Sequence, residues 1–574
     1  MGNLIIRIGG EGGEGVISSG DMIAQAAVRS GLKILTFKTF PAEIRGGYAM
    51  YQTRFSTEEI LSEGTDFNVM CAFNQEALDK NMNFLKPGTV LIYDYPDGDI
   101  KEEVKIDGVT CYNLPMSKIA KKDLGMYRAK NMVALGALAH LFDIPFDSIK
   151  GTIHSKFGKK GEKVVNTNLE AIEAGANYIK DNHKKTDSFK MDKTDKVDDD
   201  IIIISGNYAA GLGAMIAGCR FFSAYPITPA TEVAIFMSQH LPKVGGTLVQ
   251  AEDEIASISQ VLGASYTGVK SMTATSGPGL SLMQEMLGLS AMAELPCVVV
   301  NVQRGGPSTG LPTKHEQSDL FMAAHGGHGD APRIVLSPEN VADVIDQTVM
   351  AFNLAEKYQM PVLVLSDGSM GFRTESIKRP DPSSYEIINR ERFKPNGDEK
   401  YLRYKLTESG VSAMSQPGDK GGMYIATGLE HSEASLPAYT PEIHTSMSDK
   451  RFKKLDGLED FFPPAEVQGN GDTELGIISW GSTLGTVREA VNMARDEGLS
   501  VKALHPKLVW PLPEKTINAF AKTCKKILVV EINKQGQFAE IIRSKTNIDP
   551  IKYNTYGGMP MTPVEVLAKI KEVL

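Results

Sequence analysis

Four short runs in the middle of the chain combine residue types that could hold and activate a small anion. In Tyr225-Pro226-Ile227-Thr228-Pro229, two prolines stiffen the backbone, so the Thr228 hydroxyl is presented from a fixed loop; Thr231 is placed to cap the helix that follows. Ala251-Glu252-Asp253-Glu254 opens a second helical stretch, where acids complement the helix dipole. Thr273-Ala274-Thr275-Ser276-Gly277-Pro278-Gly279 supplies hydroxyls and bare backbone. Gln303-Arg304-Gly305-Gly306 leads into Gly310-Leu311-Pro312-Thr313-Lys314-His315, and Arg304 offers a fork of donors that fits a carboxylate. An isolated acidic cluster would be explained by the dipole alone. Here all four runs follow predicted strands, at the carboxyl ends where open α/β sheets place their ligands.

A second group of residues lies near the N-terminus. Gly10, Gly12 and Gly15 form GxGxxG in the run GGEGGEG, with Gly13 between them, after a strand and before a helix. Bare glycines let backbone approach a ligand, and a helix N-terminus favours an anion. The dinucleotide reading is defective, because the second strand ends Phe37-Lys38-Thr39-Phe40 without the acid that would hold a ribose. Glu11 and Glu14 would also repel a pyrophosphate. A packing turn and a site for another phosphate-bearing ligand both remain open. Arg45, before Gly46-Gly47, suits either an anion contact or a salt-bridged turn. His325 and His328 lie three apart in a glycine-rich loop with no third ligand nearby, so they read as loop residues rather than a metal site.

The elements that must position these residues alternate. Strands are predicted at 4–8, 33–37, 67–73, 89–93 and near 109–113, with helices between, which implies a parallel, helix-covered sheet in a first domain over 1–180. Residues 181–200 are highly charged and read as a solvated linker. A second α/β domain is predicted over 201–385, opening on the strand at 201–204. Residues 386–473 read as an extended connection with few regular elements, and a third, smaller α/β domain covers 474–574.

Composition narrows the function classes. The 574 residues carry a formal net charge of −9, which argues against general nucleic-acid binding. Five scattered cysteines without CxxC give no zinc or Fe–S signature and fit a reduced, cytoplasmic protein. No apolar run approaches the ~18–20 residues of a membrane helix, and the N-terminus lacks a signal-peptide layout.

Taken together, GGEGGEGV, EIRGG, YPITPATE, QAEDEIA, TSGPG and QRGGPSTGLPTKHEQSDL resemble the 2-oxoacid:ferredoxin oxidoreductases, in the form of a fused γ–α subunit of the 2-oxoglutarate type. The resemblance covers nearly the whole chain. It implies a γ-like domain, a thiamine-diphosphate pyrimidine-binding-type domain and a transketolase C-terminal-type domain. Glu254 matches the glutamate that hydrogen-bonds N1′ of the aminopyrimidine. Tyr225, Pro226, Ile227, Ser276 and Gly277 would line the same cofactor. Thr228 and Arg304 match residues that meet the 2-oxoacid, and Thr313 one that faces its side chain. Lys314 and Arg45 are hypotheses for the distal carboxylate. Coenzyme A is assigned by the resemblance to the γ-like domain, with Gly10, Gly12, Gly13, Gly15 and Arg45 as its partners here.

The resemblance also implies a partner. Ser366-Asp367-Gly368-Ser369 lacks the pattern of a diphosphate–metal motif. Mg2+, the diphosphate end of the cofactor and a [4Fe-4S] cluster are therefore expected on a separate β subunit, in a dimer of α–β heterodimers that reduces ferredoxin. No nucleic-acid or membrane partner is expected. The alternatives are a branched-chain or other 2-oxoacid as substrate, a nicotinamide-dependent dehydrogenase, or a non-catalytic assembly subunit of the same fold.

Overall fold

The computed structural model describes residues 3–41, 46–192, 194, 197–395 and 400–574. Two compact units partition the chain. The first comprises Met1–Ile204 with Phe372–Arg379, and the second Ser205–Gly371 with Pro380–Leu574.

The first unit is built on an eight-stranded sheet in the order Thr110–Asn113, Val90–Tyr93, Val69–Ala72, Leu4–Glu11, Tyr48–Ser56, Lys33–Thr39, Thr374–Lys378, Ile201–Ser205. The first four strands are mutually parallel. Tyr48–Ser56 runs antiparallel to both of its neighbours, so the sheet is mixed rather than parallel as the alternation implied. This strand escapes a reading by apolar pattern because Gln52 and Arg54 lie within it. Both are buried, and the backbone carbonyls of Glu63 and Ser62 satisfy them. Ile201–Ser205, expected to open the second domain, instead extends this first sheet. On the covering layer, helices Lys130–Leu141 and Glu162–Asn182 meet backbone to backbone. Any Cβ on Gly136 would sit 1.9 Å from the Ile172 carbonyl oxygen. Residues 183–192 are also not free linker. Met191 is buried, its N–H donates to the Phe142 carbonyl, and the Asp187 carboxylate accepts from the Tyr112 hydroxyl. Met191 and the partly buried Phe189 pack on the first unit's core and, with these hydrogen bonds, dock the segment.

In the second unit the main sheet has the order Leu508–Trp510, Ile334–Leu336, Pro361–Asp367, Cys297–Gln303, Ser271–Thr275, Phe221–Ala224, Thr247–Gln250. All pairs are parallel except the edge pair with Leu508–Trp510. Its central strand CVVVNVQ is buried on both faces, as parallel strands under helices must be. A five-stranded sheet follows, Val467–Gln468, Val501–Leu504, Thr473–Ser479, Cys524–Glu531, Ile551–Asn554, parallel except at the Val467–Gln468 edge. The connecting segment is largely irregular, but it carries helix Pro441–Lys453, capped by Thr440, which the charge-rich sequence hid. Among the described residues no helix is long and apolar enough to cross a membrane.

Candidate active site

The carboxyl ends of the second unit's parallel strands gather the four runs. Phe221–Ala224 delivers Tyr225, Pro226, Ile227 and Thr228. Tyr225 is exposed, while Ile227 and Thr228 are half-buried. The helix after this loop starts at Thr231 with Ala230 as its cap residue and no side-chain cap, so Thr231 does not play the capping role expected of it. The Asn207 side chain donates instead to the Pro229 carbonyl, at 2.9 Å, and pins the loop.

Thr247–Gln250 leads to helix Glu254–Tyr266, capped by Asp253, whose carboxylate accepts from the Ala256 N–H at 2.7 Å. The cap thus falls to Asp253, which leaves Glu254 for other work. Glu254 is 6% exposed and packs against Gly279; a Cβ there would lie 2.6 Å from its Cγ. Among the described residues no hydrogen bond reaches its carboxylate. A buried acid without a protein donor fits a ligand ring nitrogen that offers one.

Arg304 follows strand Cys297–Gln303 and is buried. Its Nη1 donates to the Thr228 carbonyl at 2.8 Å, which ties the arginine to the proline-flanked loop. Burial lowers its pKa, while the charges of Asp319 and then Glu254 act to raise it. The loop beyond Arg304 folds back on itself: the Gly305 N–H donates to the Lys314 carbonyl at 3.0 Å and the Leu311 N–H to the Gly305 carbonyl at 2.9 Å. This brings the Lys314 backbone against Gly305, the residue after Arg304, and Thr313 and Lys314 are both half-buried. Gly558 from the third sheet's domain closes against Lys314. Ser276 and Gly277 begin a short helix at the end of Ser271–Thr275, and Gly277 lies against the Asp319 carboxylate.

Arg304, Gly277, Asp319, Glu316 and Lys534 line one cavity of about 530 Å³. Sequence reasoning passed over Asp319. Its Oδ2 accepts from the Asn301 side chain at 2.9 Å, and its N–H donates to the Gln303 side chain at 3.0 Å. Nor did the sequence betray the brace behind it. The Gln317 N–H donates to the Ile532 carbonyl at 2.6 Å, its side chain donates to the Trp480 carbonyl at 2.7 Å, and Gln537 donates to the Ser318 carbonyl at 2.8 Å. These partners are more than 160 residues apart, so no local signal could reveal them. Glu531 anchors that side: its buried carboxylate accepts from the Trp480 ring, Asn533 and the Phe538 and Ala539 N–H groups.

In the first unit the glycine turn is braced by its neighbours. Gly12 exchanges backbone hydrogen bonds with Gly46 and Gly47, and Gly15, at φ +86°, sits against Asn131. A Cβ on Gly10 would come within 2.8 Å of the Glu14 carboxylate, whereas Gly13 faces open space. Arg45 lies outside the described residues. Glu14 does not stand free to repel an anion: Lys130 Nζ lies 3.1 Å from it and 3.0 Å from the fully buried Asp94. Replacing Lys130 with Met would take the cation from both carboxylates, Asp94 keeping its Ser117 donors and Glu14 the Glu11 N–H and the Asn74 side chain. We expect a loss of about 2–3 kcal/mol, measured by urea unfolding; an unchanged midpoint would show the pair to be neutral.

Asp367 accepts from the Met370 N–H, and His325 stacks edge-on against Trp510. No cluster of three metal-ligating side chains occurs among the described residues.

Three family models match the chain: "Pyruvate ferredoxin/flavodoxin oxidoreductase" over residues 5–178, "Pyruvate flavodoxin/ferredoxin oxidoreductase, thiamine diP-bdg" over 212–450 and "Pyruvate:ferredoxin oxidoreductase core domain II" over 473–566. Among curated proteins, the 2-oxoglutarate oxidoreductase subunit KorA of Mycobacterium tuberculosis is 33% identical, over all of this chain and 92% of its own length. The 2-oxoglutarate synthase subunit KorA of Methanothermobacter thermautotrophicus is 42% identical over 64% of this chain and 97% of its own. Among solved structures, the 2-oxoglutarate:ferredoxin oxidoreductase of Magnetococcus marinus, with 2-oxoglutarate, coenzyme A and succinyl-CoA bound, is 56% identical with a TM-score of 0.96 over the full length of both chains.

Proposed function

This chain belongs to the 2-oxoacid:ferredoxin oxidoreductase family, and from that premise we propose that it is the fused γ–α subunit of a 2-oxoglutarate:ferredoxin oxidoreductase. With a β subunit it would convert 2-oxoglutarate and coenzyme A to succinyl-CoA and CO2, passing electrons to ferredoxin. The observation that carries the substrate is the full-length likeness to the Magnetococcus marinus enzyme, whose bound molecules are those of this reaction. The fusion is supported by the Methanothermobacter relative, which spans its own length on about two thirds of this chain.

The residues fit that role. Glu254, buried and free of protein donors, would accept from the protonated pyrimidine nitrogen and hold that proton in place. Arg304, already fastened to the Thr228 backbone carbonyl, keeps guanidinium donors for the substrate carboxylate, and the Thr228 hydroxyl is assigned to the same substrate. Thr313 and Lys314, on the loop that folds back to Gly305, are assigned to discriminate the substrate's distal end. Bound thiamine diphosphate would supply the carbon nucleophile and electron sink that 2-oxoacid decarboxylation needs. Its Mg2+-bound diphosphate end, and the [4Fe-4S] cluster, fall to the β subunit. For coenzyme A we assign the glycine turn around Gly13, where Lys130 already offsets Glu14.

The test is co-purification with the β subunit and a visible spectrum on addition of 2-oxoglutarate without coenzyme A. Bleaching of a brown Fe–S band supports the reading. A complex bleached only by 2-oxoisovalerate overturns the substrate, and turnover by the isolated chain overturns the divided site.

A further inference from the structure

The two carboxylates that act on Arg304 are held at arm's length from it. Among the described residues neither Asp319 nor Glu254 forms a direct ion pair with the guanidinium, yet both charges bear on it. For Asp319 the restraint is visible: Asn301 holds Oδ2, the backbone N–H is fixed by Gln303, and Gly277 abuts the carboxylate so closely that a Cβ would lie 2.9 Å from Oδ2. Asp319 and Arg304 nevertheless line the same cavity. A carboxylate free to move would close on the arginine and occupy the fork that a substrate needs.

We propose, resting on the 2-oxoacid reading above, that Asp319 is a positioning residue acting through Arg304: its tethered charge tempers the guanidinium without occupying its donors, and thereby sets the affinity for the substrate carboxylate. The charged groups that bear on Asp319 are Arg304 from the central strand's end and Glu316 from its own segment; Lys534 lines the same cavity but donates to the Tyr556 hydroxyl, and Glu254 acts on Arg304. Burial raises the Asp319 carboxyl to about 6, Asn301 and Arg304 opposing the shift. Ionised, Asp319 offsets part of the attraction of Arg304 for an anion. As pH falls through that value it becomes neutral, and the substrate carboxylate is held more tightly.

The experiment compares KM and kcat for 2-oxoglutarate between pH 5.5 and 8 in the assembled complex. In the wild type, the KM ratio to Asp319→Asn should fall toward one as pH drops. At pH 8 Asp319→Asn should lower KM about fivefold, the scale of one screened charge nearby. Asn301→Ala, which frees Oδ2 to swing onto Arg304, should raise KM about tenfold, the opposite sign. A merely structural role would lower kcat or yield without separating the two pH profiles. A higher KM for Asp319→Asn, or a pH-independent ratio, overturns the proposal; if Asp319→Asn does not fold, an unchanged KM in Asn301→Ala does so. Should the wild type reject 2-oxoglutarate, the substrate reading fails by itself. The same comparison then stands on the 2-oxoacid that is turned over, whose carboxylate meets the same arginine.

Discussion

Glu254→Gln, assayed in the complex with the β subunit, should slow decarboxylation by about 10²–10⁴-fold, the range of a lost acid–base contribution. Glutamine keeps the volume, the contact with Gly279 and the start of the helix, while Asp253 continues to cap it. The loss of one acid in the first turn costs at most about 1 kcal/mol of helix stability, too little to unfold the domain. What disappears is the charge that would favour a proton on a bound ring nitrogen. Single-turnover release of CO2 reads this directly, before electron transfer. Near-normal release would leave Glu254 a helix-start acid and revive the assembly-subunit alternative.

Glu294→Gln should act on stability rather than chemistry, at a cost of about 3–5 kcal/mol. Glu294 is fully buried, 2.7 Å from Lys450 and 2.6 Å from Lys454, and Arg403 donates to its backbone carbonyl. Burial pushes its carboxyl up, but Lys454, Lys450 and Arg403 outweigh this and bring it down to about 2. A depressed carboxyl contributes stability above its unfolded value, near 4.5, and loses it as pH falls toward 2. Glutamine removes that contribution at neutral pH and leaves two lysines without their counter-charge, while Arg403 keeps the backbone carbonyl. Burial already lowers Lys454 to about 7 despite Glu294. Without the glutamate its value would fall further, so the penalty should shrink as pH rises from about 5 to 7, where only the wild-type lysine is still charged, and level off above. Thermal melts across that range check both claims. A constant difference would mean that the cluster relaxes or hydrates.

The chemistry-bearing runs were legible because each directly follows a short strand, and strand ends share one edge of a parallel sheet. Thr228, Glu254, Ser276 and Arg304 were picked out as candidates that way, and each follows its strand in the structure. Asp319 was not, although QSDL lay in view, because its importance depends on Asn301 lying alongside it in the folded chain. The Glu294 cluster was equally silent: its lysines come from a helix more than 150 residues later. The mixed first sheet was misread for a different reason. Gln52 and Arg54 look solvent-facing until the 62–63 backbone that satisfies them is in place. Local pattern reports strands and turns, whereas polar side chains satisfied across the fold report nothing until the partner is known.

The shared sheet of the first unit also decides what a protease could achieve. Trypsin acting at Lys184 or Lys185 would divide the polypeptide, yet the carboxyl-terminal product would still supply Met191, Ile201–Ser205 and Thr374–Lys378 to the amino-terminal one. The severed pieces would stay together as a non-covalent pair. Two transcripts broken at that point would encode chains able to complement each other in trans, with strand addition replacing the missing peptide bond.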